Sequence, residues 1–253
     1  MLFWACQKVP ITGRKQVHVY PESDMIAMSV SAYKKALQEG KVISGTPEAN
    51  MVNTVGMKIS AAAVKLMNKQ GQSDRLKGYA WEYHLLESKE ANAWCLPGGK
   101  IAVYSGILPI TQTEAGLAVV MGHEVGHAIA QHGNERMTQQ VAAQLGEIGL
   151  SLAIADQPAQ TQNIFLNAYG LGATYGALLP FSRTQELEAD KIGMVLMAIA
   201  GYNPDEAVSL WQRMKQQTQE NDIAEFMSTH PSDQHRIDEI RAFLPEAKKY
   251  YLK

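Results

Sequence analysis

From Glu22 to Glu39 apolar residues recur at helical spacing, with Met25, Met28, Ala32 and Ala36 on one face and Gly40 as the stop. Thr46-Pro47-Glu48 combines a capping residue with a proline at the first helical position, which predicts a second helix running to about Asn68. Val52, Val55, Ile59, Ala62, Val64 and Met67 supply its apolar contacts, and Gly71 and Asp74 mark the loop that follows. The period then shortens to two. Tyr79, Trp81, Tyr83 and Leu85 alternate with polar or small residues, as in a half-buried strand. Ala93-Trp94-Cys95 and Ile101-Ala102-Val103-Tyr104 read as two more strands joined by a turn at Pro97-Gly98-Gly99. Together they predict a small antiparallel sheet. Beyond Thr111 the pattern is helical, in segments near 111–132, 135–155, 161–178, 183–200, 204–218 and 233–243. The expected class is mainly α, an α+β domain in which helices surround a small sheet.

Composition narrows this picture. Of 253 residues, 46% are hydrophobic and 19% charged, ordinary for a packed globular chain. No internal repeat or low-complexity linker divides it, so residues 21–253 read as one domain behind an N-terminal tail of residues 1–20. A net charge of −2 offers no basic stripe, which argues against a nucleic-acid partner. Cys6 and Cys95 are too few for a disulfide framework. No run of 18 purely apolar residues forces a membrane span. Leu2-Phe3-Trp4-Ala5-Cys6 is apolar and ends on a small residue before a cysteine, like the end of a bacterial lipoprotein signal, although a basic start and a full apolar stretch are missing. Cys6 is thus a lipidation candidate and a possible route to membrane attachment. Ile148 to Phe181 carries one charged residue, Asp156. A packed helical hairpin is the preferred reading there, over a substrate-covering or membrane-touching lid.

The candidate chemistry sits in His123-Glu124-Val125-Gly126-His127, an H-E-x-x-H sequence. Residues four apart on a helix lie one turn along and about 40° apart around the axis, so both imidazoles reach one metal ion. Glu124 reaches a water at that ion without being a ligand. A catalytic zinc keeps three protein ligands and an open position. A third histidine six residues after His127 is excluded, because Gly133 stands there and His132 falls near the opposite helix face. Glu186-Leu187-Glu188-Ala189-Asp190 supplies the alternative. Glu186 and Asp190 share a helix face and Glu188 points away, so one acid can bind zinc while the other orients a ligand histidine.

These pieces resemble the M48 metallopeptidases, the family of the HtpX heat-shock proteases and the CAAX prenyl proteases. The matching residues are His123-Glu124-x-x-His127, Glu186-x-x-Ala189-Asp190, Asn92-Ala93 with Pro97-Gly98-Gly99, and Thr229-His230-Pro231-Ser232, in the family's order. The resemblance implies a gluzincin architecture, with one zinc per chain on His123, His127 and Glu186 and with Glu124 as catalytic base. Asp190 would support a ligand, and Asn92 and Ala93 would lie on the sheet edge that receives an extended polypeptide substrate. No membrane helix or helical-repeat tail is evident. The chain therefore resembles the family's soluble bacterial branch, which implies a periplasmic location, an outer-membrane lipid anchor on Cys6, and misfolded or envelope proteins as substrates. Pro10-Ile11-Thr12-Gly13-Arg14 also looks like that branch. His230 is expected at the zinc from a loop, because Pro231 disfavours helix there. It would act either as oxyanion donor or as a fourth ligand in a resting state. Two other functions remain open: a zinc-containing chaperone or assembly factor with little proteolysis, and a zinc hydrolase of non-peptide bonds.

Overall fold

The computed structural model describes residues 5–148, 164, 182–217, 226, 229–230 and 233–251. The segment 148–181, apart from its first residue and Ile164, lies outside the described residues. So do Pro231 and Ser232.

Two strands open the chain, β1 (Ala5–Lys8) and β2 (Lys15–His18), paired antiparallel with Cys6 opposite Val17. The sequence pattern leaves residues 1–20 as a tail. Instead Ile11 and Gly13 take positive φ values of 66° and 70° and fold residues 5–18 into a hairpin. Helix α1 (Glu22–Glu39), strand β3 (Val42–Ile43) and helix α2 (Pro47–Lys69) follow. The Thr46 side chain accepts from Ala49 N and Pro47 occupies the first turn, the start its sequence predicts. Strands β4 (Glu82–Leu86), β5 (Ala93–Leu96) and β6 (Lys100–Tyr104) complete a four-stranded sheet with β3, in the order β3-β4-β6-β5.

The sheet is small, as predicted, but mixed. β3–β4 and β5–β6 pair antiparallel, whereas β4 and β6 run parallel, with Glu82 opposite Lys100 and Leu86 opposite Tyr104. Alternation reports which face a residue occupies and not which strand lies beside it. The tight turn at 97–99 sends β6 back between β4 and β5, and that fixes its direction. Both faces are covered. Ala93, Cys95, Ile101 and Val103 join the core shared with α2 and α4, while Trp94, Leu96 and Ala102 pack with Met25 and Tyr33 of α1.

Among the described residues the further α-helices are α3 (Leu108–Thr111), α4 (Glu114–Ala130), α5 (His132–Ile148), α6 (Arg183–Ile199), α7 (Glu206–Gln217) and α8 (Gln234–Lys248). The predicted bounds match to within a few residues at most ends. No helix among the described residues is long and apolar enough to cross a membrane. Helix α4 is buried along nearly all its length, so both of its ends need protein partners. At the start, Thr113 Oγ1 accepts from Gly116 N. At the end, Ala128, Ile129 and Ala130 carbonyls accept from Tyr79 Oη, Arg75 Nη1 and Gln16 Nε2. Gln131 then leaves the helix in the left-handed region, φ 60°. Helices α4 and α6 meet at backbone distance, because Gly122, Gly126 and Gly193 line the contact.

Candidate metal centre

Helix α4 carries His123, Glu124 and His127 into the interior one turn apart. Helix α6 brings Glu186 and Asp190 from across the glycine contact. Its start is a capping box, with Ser182 Oγ accepting from Gln185 N and Gln185 Oε1 accepting from Ser182 N. Thr229 and His230 come from the stretch before α8, whose first turn is capped by Asp233 accepting from Arg236 N.

Ligand atoms of His123, His127, Glu186 and His230 all lie within 4.8 Å of one another. His123 Nε2 is 3.0 Å from His127 Nε2 and 3.2 Å from His230 Nδ1. Glu186 Oε1 is 3.1 Å from His230 Nδ1 and 3.3 Å from His127 Nε2. His123, Glu124, His127, Glu186 and His230 are between 2% and 4% exposed, so the site is closed to bulk water.

Proton positions test whether this set suits a cation. Asp190 Oδ1 lies 2.9 Å from His123 Nδ1 and can only accept, so Nδ1 carries the proton and Nε2 presents a lone pair. On the far side of His127, Nδ1 is 2.9 Å from His132 Nδ1, which leaves its Nε2 facing the cluster. Lone pairs of two buried imidazoles therefore face each other at 3.0 Å beside a carboxylate oxygen. That arrangement repels unless a cation lies among them. In the metal-free chain a proton serves: burial lowers His123, but Asp190 and Glu186 overcome it and raise the ring to about 9. A metal ion would take that proton's place. Nitrogen and carboxylate donors in this number suit zinc. The electrostatics agree. Burial drives His127 well below its ordinary value, keeping the ring neutral despite Glu186. For Glu186, burial pushes upward, but Arg236 and His230 hold the carboxyl well below the usual range and ionised.

Around the donors stands a buried frame. Arg236 reaches Glu186 Oε2 at 2.6 Å and Asp190 at 2.7 and 2.9 Å, and its guanidinium stacks 3.6 Å over the Trp211 ring. Glu124 Oε1 has no hydrogen-bond partner and lies 3.6 Å from His230 Nε2. Burial pushes the Glu124 carboxyl above its ordinary value, the charge of His230 opposing. A buried, unpartnered carboxylate oxygen beside a cation site is what a general base requires.

Of the other predicted residues, Asn92 and Ala93 lie at the start of β5, the edge strand next to α4. Both are buried, and Asn92 Oδ1 accepts from Ala93 N. Cys6 lies in β1. Sequence reasoning missed Arg236, which stands six residues beyond His230, and it missed the partners of His127. Glu188 does turn away from Glu186 and Asp190, and meets His132 Nε2 at 3.1 Å.

The family model for peptidase family M48 matches residues 57–244. The chain is 35% identical over 247 residues to the mitochondrial metalloendopeptidase OMA1 of Schizosaccharomyces pombe, covering 97% of this chain and 68% of that protein. It is 33% identical over 212 residues to the Saccharomyces cerevisiae protein of the same name, covering 81% and 58%. It is also similar to the putative beta-barrel assembly-enhancing protease of Vibrio cholerae, 24% identical over 215 residues, covering 83% and 42%. These relatives correct the expected location. A periplasmic lipoprotein is not supported, because the more similar relatives are mitochondrial proteins and the bacterial one stands at lower identity. The five-residue apolar approach to Cys6 was too short a pattern to carry that inference. The matched family, the buried His and Glu donors and the metallopeptidase relatives agree: the chain belongs to peptidase family M48 and is a zinc metalloendopeptidase.

Proposed function

We propose that this chain hydrolyses peptide bonds of unfolded, extended polypeptides, with one zinc held by His123, His127 and Glu186. The observation that carries the reading is the convergence of those donors beside the unpartnered oxygen of Glu124. A bound zinc supplies Lewis acidity and brings the pKa of a water to about 7. Glu124 takes the proton of the attacking water and returns it to the leaving amine, a role suited to a carboxylate whose affinity for protons burial has raised. Asp190, accepting from His123 Nδ1, keeps that ring turned with Nε2 inward. Arg236 fixes Glu186 and Asp190 relative to each other. The β5 edge at Asn92-Ala93 would take the substrate by adding a strand, so that main-chain hydrogen bonds recognise any extended sequence.

For His230, the position of Nδ1 inside the donor cluster supports the fourth-ligand role over the oxyanion donor. The buried site is then a resting form, and the turn bearing His230 must withdraw before a peptide enters. The test is digestion of an unfolded protein such as casein by the wild type, by the wild type with chelator and by Glu124→Gln. The Gln variant keeps size and zinc, and turnover should fall roughly a hundredfold or more. Near-wild-type turnover in a zinc-replete Gln variant defeats the assignment.

A further inference from the structure

The two ligand histidines are backed differently. His123 Nδ1 meets a carboxylate directly, at Asp190. His127 Nδ1 meets another imidazole, His132 Nδ1, at 2.9 Å. The chain of contacts continues outward. His132 Nε2 lies 3.1 Å from Glu188 Oε2. Glu188 Oε1 accepts from Thr12 Oγ1 at 2.8 Å and from Arg14 Nε at 2.9 Å. The other two guanidinium nitrogens of Arg14 grip Glu135 at 2.6 and 2.7 Å. His132, Glu135 and Glu188 are all buried, whereas the Arg14 side chain is 29% exposed and Thr12 lies at the surface, so the network runs from the interior to the solvent boundary. Thr12 and Arg14 belong to the turn of the N-terminal hairpin, 176 and 174 residues from Glu188 in sequence.

Only one proton order satisfies this chain with both rings neutral. Ionised Glu188 accepts and cannot donate, so His132 must carry its proton on Nε2. Its Nδ1 is then a lone pair, and His127 must donate from Nδ1. The lone pair of His127 is thereby placed on Nε2, the atom facing the donor cluster. Arg14 and Thr12 set the direction from the far end, because they fix Glu188 in place and give it two donors, Thr12 Oγ1 and Arg14 Nε, to accept from.

We infer that the turn of the N-terminal hairpin is a positioning element for the metal centre, acting through Arg14, Glu188 and His132 on the tautomer and orientation of His127. Loss of the group that holds a ligand histidine's far ring nitrogen commonly weakens metal affinity by roughly tenfold to hundredfold; here that group is His132, and Arg14 acts on it through Glu188. Arg14 touches neither zinc nor substrate, so its role is separable from catalysis. The inference rests on the reading of His127 as a zinc ligand.

The experiment measures zinc affinity of the full chain by competition with a chromogenic chelator, alongside unfolding of the metal-free protein in denaturant. Arg14→Gln should bind zinc several-fold more weakly than wild type, up to roughly the tenfold lower end of that range. A mere ion-pair staple would lower stability without that loss. In a His132→Phe background the relay is cut, so Arg14→Gln should no longer change zinc affinity while still lowering stability. Thr12→Val removes one donor to Glu188 and leaves every charge in place. It keeps the test decisive if Arg14→Gln does not fold, with a several-fold weakening expected. Zinc affinity within twofold of wild type, in whichever of Arg14→Gln and Thr12→Val folds, overturns the inference. A wild-type chain without stoichiometric zinc, or a His127→Ala chain that keeps it, overturns the ligand reading instead.

Discussion

Replacing Gly193 with alanine places a methyl group where α4 and α6 touch backbone to backbone. A Cβ there would lie 2.8 Å from His123 N, 2.9 Å from Gly122 C and 3.1 Å from Gly122 O. Ordinary contact begins at 3.4 Å, so the helices must part by about 0.6 Å. All three neighbours are main-chain atoms, and no rotamer change relieves them. Two effects compete. Alanine gains about 1 kcal/mol over glycine in a helix interior. Overpacking a close contact costs about 1–3 kcal/mol. The expected net result is a loss of up to about 2 kcal/mol in the metal-free protein. The metal effect should be larger, because α4 carries His123 and His127 while α6 carries Glu186, and metal sites tolerate only about 0.2 Å of error in ligand distance. Urea unfolding of the metal-free protein and chelator competition for zinc measure the two effects separately. An alanine variant more stable than wild type with unchanged zinc affinity is what helix propensity alone predicts, and it would refute the reasoning. Gly126→Ala is the mirror experiment, with its Cβ 2.8 Å from Ala189 O.

Asp190→Asn removes the charge that orients His123 and pairs with Arg236. Zinc affinity should fall roughly tenfold to hundredfold, and unchanged chelator competition would show that His123 needs no such partner. His230→Ala should retain zinc and raise peptide turnover by clearing the donor cluster; a fall of about a hundredfold instead would return His230 to the oxyanion role. Glu22 gives a pH test away from the metal. Burial raises its carboxyl to about 7, against the charge of Arg75 and a hydrogen bond from Gln131. A raised carboxyl burdens the folded state fully above pH 7 and not at all below its unfolded value near 4.5. Glu22→Gln should therefore add stability at pH 8, by on the order of 1–3 kcal/mol, and little at pH 5. Equal changes in melting temperature at both pH values would contradict this.

The site was legible where the chemistry repeats along a helix. His123 and His127, then Glu186 and Asp190, are each four apart, and that spacing alone places each pair on one face. The partners of His127 were not legible in this way. His132 and Glu188 are 56 residues apart, and Glu188 and Arg14 are 174 apart, so no local period joins them. Glu188 could be seen to turn away from the zinc face, but what it turns toward depends on how α5 and the hairpin pack. The same limit applies to the sheet. Alternation in Tyr79–Leu85 and the turn at Pro97-Gly98-Gly99 announce strands, yet the parallel partnership of β4 with β6 is a tertiary fact. At the N-terminus, five residues suggested a processing signal, whereas the backbone of Cys6 pairs with Val17 in a hairpin whose turn holds Glu188.

Charge balance ties the frame to the chemistry. Glu124, Glu186 and Asp190 are buried together with one guanidinium, Arg236; with the imidazoles neutral, as metal binding requires, the cluster carries a net charge of −2. Each buried ion costs several kcal/mol in lost hydration unless it is compensated. A divalent cation brings the cluster to neutrality; a monovalent one does not. Metal binding is therefore coupled to the stability of α4 against α6, and an agent that removes the metal should loosen that contact as well as stop hydrolysis. The compensation is also uneven. Arg236 is committed to Glu186 and Asp190 by contacts of 2.6 to 2.9 Å and is held flat on Trp211. Glu124 shares the same burial without such a contact, and its Oε1 has no hydrogen-bond partner. Of the three carboxylates, it is the one whose proton affinity burial raises while the other two are held low. On the proposed reading the frame separates the acids by role: Glu186 and Asp190 stay ionised to hold and orient, and Glu124 takes up and returns a proton.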